Sequence, residues 1–405
     1  MSILEGKRIL LGVSGSIAAF KAATIASRLT QEGSQVMTVL TPAAERFITP
    51  LTFRSLTGQP AYTDADLWGQ EGHVLHVNLG RESDLMLIAP CSANTLAALA
   101  HGSAEHLLTL SALTLQGPLA VAPAMDGGMF EHPATQQNLE ILRQRGVFIL
   151  GPAAGRLASG LIGMGRMLEP EEIIGHVRYI LGRNGPLAGR KVVVTAGGTQ
   201  EPIDPVRVLT NRSSGKQGYA LAQAAIDLGA ETVLISTPTA LTPPIGARLV
   251  RVQTAEEMRQ AVLAEVQDAD ILLMAAAVAD FRPRRVANQK IKKQNGLPML
   301  ELEATPDILA EVAARRRETK HPLVTVGFAA ESQELIENAT QKLQSKDLDL
   351  IAANDISAQD AGFGVDTNRV TLLYRNGRRE ALPLMSKAQV AQAILERVVE
   401  MLRAS

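Results

Sequence analysis

The feature that most limits how this chain can fold is a repeated unit: a short apolar run, a turn of small or polar residues, then a stretch with helical spacing. It opens with Lys7-Arg-Ile-Leu-Leu-Gly-Val13, passes through a Gly/Ser turn at Gly12 to Ser16, and continues into a helical segment that ends at Gly33. Gln35 to Leu40 supplies a second strand, and Leu85 to Ala89 and Leu119 to Ala122 repeat the pattern. Parallel strands joined by helical crossovers produce this alternation, so the fold class is α/β. The segment Arg183-Asn-Gly-Pro-Leu-Ala-Gly189 is loop-like, and Arg190-Lys-Val-Val-Val-Thr195 then restarts the pattern. Further strands are expected at Glu231 to Ile235, Asp270 to Met274, Leu323 to Gly327 and Leu348 to Ala352. A chain of 405 residues exceeds one ordinary core, so two domains meeting near residue 185 are expected. In such sheets ligands gather at the carboxyl ends of the strands, which makes the residues after each apolar run the ones to inspect.

Composition narrows the partners. With 46% apolar residues, 20% charged residues and a formal net charge of -1, the chain lacks the basic excess that nucleic-acid or membrane-surface binding brings. Its one cysteine, Cys91, excludes an internal disulfide and suits a reducing compartment. The apolar run near the N-terminus is too short for a signal peptide or a membrane span, so the expected location is the cytoplasm.

In the first half, Gly12-Val-Ser-Gly-Ser-Ile17 departs from a dinucleotide fingerprint at Ser14 and Ile17, which argues against a nicotinamide cofactor. Two hydroxyls, Ser14 and Ser16, beside backbone N–H groups at a helix start suit a single phosphate, although an ordinary serine-capped turn would read the same way. Two further irregular strand ends follow, Ala89-Pro-Cys-Ser-Ala-Asn-Thr95 and Ala122-Pro-Ala-Met-Asp126. Together with His76, they resemble the flavoprotein cysteine decarboxylase family over residues 5 to about 175. The resemblance implies a flavodoxin-like domain that holds FMN through Ser14, Gly15, Ser16, Ser92, Ala93, Asn94 and Thr95, with Thr41 and Ala124 also in contact. It assigns His76 to the first, oxidative step, while the place of Cys91 between Pro90 and Ser92 at a strand end makes it a small buried filler near the flavin. Two catalytic positions depart from the family pattern. Asp126 stands where an asparagine grips the substrate carboxylate, and Ser159, in the flap segment Leu157 to Arg166, replaces a proton-donating cysteine. Ionised aspartate has no donor and repels a carboxylate, so a protonated Asp126 or an intervening cation is expected, with a relayed proton at Ser159. The alternative is a flavin-binding scaffold without decarboxylase activity.

In the second half, Asn211-Arg-Ser-Ser-Gly-Lys-Gln-Gly218 is not a Walker loop, since Thr210 and Gln217 stand where that loop needs glycine and a hydroxyl. Lys290, Lys292 and Lys293 form a cationic run that, taken alone, is a solvated surface. The first of these segments resembles the Asn-x-Ser-Ser-Gly-Lys-x-Gly motif of phosphopantothenate-cysteine ligases. Segments beginning at Thr195, Ala275, Lys290, Thr305, Gly327 and Ala353 follow in that family's order, from about residue 188 to the end. A carboxylate needs a better leaving group than oxide before an amine attacks it, and the resemblance supplies CTP and an acyl-cytidylate, with Mg2+ accompanying the nucleotide. It places Asn211 and Lys290 on the acyl-cytidylate. For CTP it implies Ala275, Ala276, Ala277, Asp280, Lys290, Pro306, Asp307, Ile308, Leu309, Phe328, Lys342 and Lys346.

The two resemblances together imply a flavodoxin-like decarboxylase domain over 1–182 and a Rossmann-like ligase domain over 188–405, both doubly wound. The substrates would be 4'-phosphopantothenate, cysteine and CTP, and the two reactions would be consecutive in coenzyme A biosynthesis. They also imply a homo-oligomer, a dodecamer built from trimeric decarboxylase and dimeric ligase parts.

Overall fold

The computed structural model describes residues 2–68, 72–292, 299–331, 334–355 and 365–404. The chain forms two compact units, Met1–Leu181 and Gly182–Ser405. Among the described residues no helix is long and apolar enough to cross a membrane.

The first unit is built on strands β1 (Arg8–Val13), β2 (Gln35–Leu40), β3 (Ala61–Tyr62), β4 (Leu85–Cys91), β5 (Leu119–Pro123) and β6 (Phe148–Ile149). They form one parallel sheet in the order β3-β2-β1-β4-β5-β6. Side chains of β1 alternate between two cores. Ile9, Leu11 and Val13 pack with Ile25, Leu29 and Val177, while Leu10 faces Leu96, Leu108 and Leu139 on the other side. A run with both faces covered has to be apolar throughout, which is why it reads as a continuous hydrophobic stretch. Slipping it by one residue would exchange every packed side chain for one shaped to the opposite core, at about 1.5–3 kcal/mol for each large side chain displaced. Beyond this sheet, β7 (Ala153–Arg156) and β8 (Ile162–Arg166) make an antiparallel hairpin.

The second unit repeats the plan with an added edge. Strands β9 (Lys191–Ala196), β10 (Gln200–Pro202), β11 (Val208–Thr210), β12 (Glu231–Ser236), β13 (Arg248–Arg251) and β14 (Ile271–Met274) lead into β15 (Phe281–Pro283), β16 (Leu302–Ala304), β17 (Val324–Glu331) and β18 (Leu350–Asp355). Last come β19 (Thr367–Asn368), β20 (Val370–Tyr374), β21 (Arg379–Ala381) and β22 (Met385–Ser386). The main sheet runs β13-β12-β9-β14-β17-β18-β20-β21. It is parallel up to β18, and β20 and β21 are antiparallel. Again the central strand serves two cores: Val192 and Val194 meet Leu221 and Ile394, and Val193 meets Met258 and Val262. The helix Lys216–Asp227 lies so close to β9 that a Cβ at Gly218 would come within 2.5 Å of the Ala196 Cβ.

Every strand expected from the apolar runs forms, so both doubly wound α/β sheets are present. Strand ends fall later than expected at β4, β17 and β18, because residues past the apolar run still join the ladder, Cys91 opposite Pro123 and Asn354 and Asp355 opposite Ala330 and Glu331. The antiparallel edge was not expected, since β20 and β21 connect without the helical crossover that marks the other strands. His76 sits on the helix Gly72–Arg81, whose Leu75 and Leu79 are buried.

Two candidate active sites

In the first unit the chain leaves β1 toward β2 on one side and returns to β4 on the other, so the crevice between the ends of β1 and β4 is the switch point of the sheet. Ser14 ties these two ends together: its hydroxyl donates to the Pro90 carbonyl at 2.9 Å and accepts from the Ser92 N–H at 2.8 Å. At 1% exposure this hydroxyl is committed to joining the two loops, and Ser16 is the more open of the two serines. Ser16 accepts from the Ala18 N–H, Thr41 from the Ala44 N–H, and Ser92 caps the helix Ala93–His101 through the Thr95 N–H. The loop after β1 approaches the loop after β2 so tightly that a Cβ on Gly15 would stand 2.5 Å from that of Ala43. The exposed Asn94 lies in the first turn of the capped helix, and Ala124 is buried after β5. Two helix starts and several hydroxyls, with no acidic side chain in 12–19 or 89–95, make a donor set that fits a phosphate-bearing flavin. Cys91 is fully buried, and burial pushes its thiol pKa up, which leaves it an inert packing group.

A cavity of about 390 Å³ joins Ser16 and Ala124 to Asp126 and to the β7–β8 hairpin with Ser159. The hairpin sits on the segment after β5. The Met125 N–H donates to the Gly165 carbonyl at 3.0 Å, and the Ser159 hydroxyl donates to Asp126 Oδ2 at 2.7 Å. Asp126 Oδ1 in turn accepts from the Gly128 N–H at 3.1 Å. The Ser159 hydroxyl, followed by the Gly128 N–H, holds the Asp126 carboxyl below its ordinary pKa, outweighing a small opposing effect of burial. This corrects the expectation of a protonated Asp126: the side chain is partly open to solvent and both oxygens accept hydrogen bonds that favour the ionised form.

His76 does not line this cavity. Its carbonyl accepts from the Thr114 hydroxyl at 2.8 Å, while its Nδ1 is buried with no hydrogen-bond partner.

In the second unit one cavity of about 690 Å³ gathers Asn211, the loop Ala275–Asp280, Pro306 to Leu309, Phe328, Lys342 and Lys346. Threonines hold the loop in place: Thr195 accepts from the Ala276 N–H at 3.0 Å, and Thr199 from the Ala279 N–H at 2.9 Å. The Asn211 amide donates to the Val278 carbonyl at 3.1 Å. The helix Lys216–Asp227 begins at this cavity, and its N-cap residue Gly215 supplies no side-chain cap, so the positive end of the helix dipole faces the space. Lys342 lies on the helix Leu335–Ser345 and Lys346 caps its end. The Lys342 ammonium donates to the Phe328 carbonyl at 2.9 Å, and Lys346 pairs with Asp307. Burial opposes ionisation of Asp307, but Lys346, the Ala310 N–H and Lys342 outweigh it and hold the carboxyl below its usual range.

Lys290 is exposed and outside the cavity lining, as is Lys292, and Lys293 lies outside the described residues. The Lys290 segment is nevertheless anchored. Asp204 accepts from the Ile291 N–H at 3.1 Å and from the Val206 and Arg207 N–H groups, while the Arg207 guanidinium donates to the Ile291 carbonyl at 2.8 Å. Among the lining residues not foreseen as site residues are Lys216, Asn354, Asn368 and Lys387. Lys216, paired with Asp366 at 2.6 Å, stood inside the Asn211 to Gly218 motif, and Asn354 inside the segment at Ala353. Asn368 and Lys387 carry no local signal, since only the closing of the C-terminal strands and helix brings them to the cavity. Among the described residues no group of His, Cys, Asp or Glu is placed to hold a metal ion.

The Flavoprotein family profile matches residues 2–182, and that of the DNA/pantothenate metabolism flavoprotein C-terminal domain matches residues 187–402. The coenzyme A biosynthesis bifunctional protein CoaBC of Bacillus subtilis is 43% identical over 399 residues, covering 98% of this chain and 97% of its own. Its counterpart from Vibrio cholerae is 44% identical over 402 residues, covering 99% and 100%. A crystal structure of the C-terminal domain of a CoaBC protein is 40% identical, covers 55% of this chain and 100% of that one, and superposes with a TM-score of 0.47. With a flavoprotein unit followed by a pantothenate-metabolism unit, and relatives matched along nearly its whole length, the chain belongs to the bifunctional CoaBC family of coenzyme A biosynthesis.

Proposed function

We propose that the second unit joins 4'-phosphopantothenate to cysteine with CTP and that the first unit decarboxylates the product to 4'-phosphopantetheine. The observation that carries the reading is the 690 Å³ cavity, in which one strand-end loop, the start of the helix Lys216–Asp227 and four lysines face the same space. A triphosphate and a carboxylate together carry more negative charge than a site can hold without cations and oriented N–H groups. Lys342 and Lys346 rest on a carbonyl and a carboxylate, and both can turn to a phosphate without first shedding a full hydration shell. Ala275 to Asp280 and Pro306 to Leu309 form the wall against which the nucleotide lies, with Phe328 beside it. Asn211 orients the acyl-cytidylate, and Lys290, carried on the segment anchored at Ile291, brings its charge over the phosphates. Mg2+ accompanies the nucleotide.

In the first unit Ser16, Thr41, Ser92, Ala93, Asn94, Thr95 and Ala124 would hold FMN, with Ser14 and Gly15 shaping the turn beneath it. Bound FMN supplies a reversible two-electron oxidation of the cysteinyl thiol, which gives the electron pair left behind by the departing CO2 a sink. His76 moves a proton at the substrate's reacting end, the work for which an imidazole is suited near neutral pH. Its absence from the cavity lining of its own chain supports a site completed by a second copy, as does the exposure of Ile17 (61%) and Phe20 (64%) beside Ser16. A trimeric first unit within a larger homo-oligomer in the cytoplasm agrees with this.

The test is mass spectrometry of products from phosphopantothenate, cysteine and CTP with FMN-loaded protein. The expected product is phosphopantetheine, with one pyrophosphate and one CO2 released for each. Accumulation of phosphopantothenoylcysteine would instead reduce the first unit to a flavin-binding scaffold, and a strong preference for ATP would overturn the nucleotide assignment.

A further inference from the structure

The cavity beneath the β7–β8 hairpin has to hold a substrate carboxylate, yet Asp126, which lines it, is itself an anion. Both Asp126 oxygens are occupied, one by the Ser159 hydroxyl at 2.7 Å and the other by the Gly128 N–H at 3.1 Å. A carboxylate in this state offers no donor. Asp126 instead seats the hairpin, together with the Met125 N–H on the Gly165 carbonyl and the close approach of Gly127 to the Met164 carbonyl, where a Cβ would stand at 3.1 Å.

Three cations line the same cavity: Lys21, Arg156 and Arg166. Lys21 is buried, donating to the Met167 carbonyl at 3.0 Å and to Glu169 at 3.0 Å. Arg166 pairs with the same Glu169. Glu169 is held ionised chiefly by its hydrogen bond from Lys21, so both cations face a fixed negative charge. Arg156, at the end of β7 opposite Ile162, is exposed and has no carboxylate partner among the described residues.

We propose that Arg156 receives the carboxylate that the decarboxylase removes, and that the Asp126–Ser159 pair sets the hairpin so that Arg156 faces it. The proposal rests on the decarboxylase reading given above. A guanidinium presents paired donors to a carboxylate, and in a solvent-open cavity it does so without the desolvation cost of a buried pair. The intervening cation that Asp126 requires is then part of the chain.

The test uses the full-length FMN-loaded protein and two unreactive ligands measured by calorimetry. One is S-methyl phosphopantothenoylcysteine, which keeps the carboxylate but cannot be oxidised at sulfur, and the other is S-methyl phosphopantetheine, which shares its phosphate and lacks the carboxylate. Arg156→Gln is expected to weaken the first at least tenfold and the second less than twofold, with Arg156→Lys recovering part of the loss. Equal weakening of both ligands would mean that Arg156 serves the phosphate or the hairpin, and would overturn the proposal. No change in either would overturn it as well. CO2 release by the unaltered protein is scored separately, so failure of the decarboxylase reading shows there while the ligand comparison still decides Arg156. Retention of FMN by each variant confirms that its first unit is folded.

Discussion

The two cavities meet the same chemical problem, a substrate carboxylate, with opposite charge arrangements. In the second unit Lys216, Lys342, Lys346 and Lys387 surround the space, each resting on an internal carbonyl or carboxylate. In the first unit two of the three cations are tied to Glu169, and an aspartate points at the flap. A site that activates a carboxylate must gather further negative charge from a triphosphate, so it stores cations. One that expels a carboxylate as neutral CO2 gains nothing from holding it tightly, because only interactions stronger in the transition state accelerate the reaction. An arginine with no carboxylate partner among the described residues, lining the same cavity as an aspartate, suits that second task.

The comparison breaks most sharply at His76. Replacing it in His76→Asn should lower CO2 release by about a thousandfold, the scale of a lost general acid–base group, while pyrophosphate release is unchanged. If CO2 release persists, the proton is handled elsewhere. Next in size, Lys290→Gln should slow pyrophosphate release by about a hundredfold, as the loss of one charge-stabilising group does, and leave decarboxylation of added phosphopantothenoylcysteine intact. A full rate would show that the cations lining the cavity suffice and that the exposed Lys290 does not close over it.

Ser159→Ala removes the hydroxyl that Asp126 accepts and should slow phosphopantetheine formation by about tenfold, the scale of one hydrogen bond to a charged group. Rapid-mixing spectra should show the early flavin reduction spared if Ser159 relays the proton of the later, reductive half. An equal slowing of both phases would make the pair a purely structural latch.

The smallest effect concerns stability in the second unit, away from either cavity. Glu380 accepts from Arg397 at 2.8 Å, Tyr374 at 2.8 Å and Arg378 at 3.0 Å. Arg397 first, and then Tyr374, hold its carboxyl at about 2 against an ordinary 4.5. Because the folded value is the lower one, this contribution is complete above about 4.5 and is lost as the pH falls toward about 2. Glu380→Gln should therefore cost about 1–2 kcal/mol in chemical denaturation at pH 7 and progressively less at acid pH. A cost independent of pH would point to packing and not charge.

Much of this was legible in the residues alone. The alternation of apolar run, turn and helix located the strands and both doubly wound sheets, because a strand covered on both faces must be apolar along its length. Motif order carried the family, and Asn211, the loop from Ala275 and the lysines at 342 and 346 do share one cavity. What the sequence could not state were the partners of each polar group. Nothing in the spacing of Ser14, Pro90 and Ser92 says that one hydroxyl would be spent on joining two strand ends. Likewise Asp126 and Ser159 read as two separate departures until the hairpin folds back and makes them a bonded pair. Local pattern determines which elements form, since helix and strand periodicity act within a few residues. Ionisation and hydrogen-bond partners depend on groups brought together from distant parts of the chain, and that was decided only by the tertiary structure.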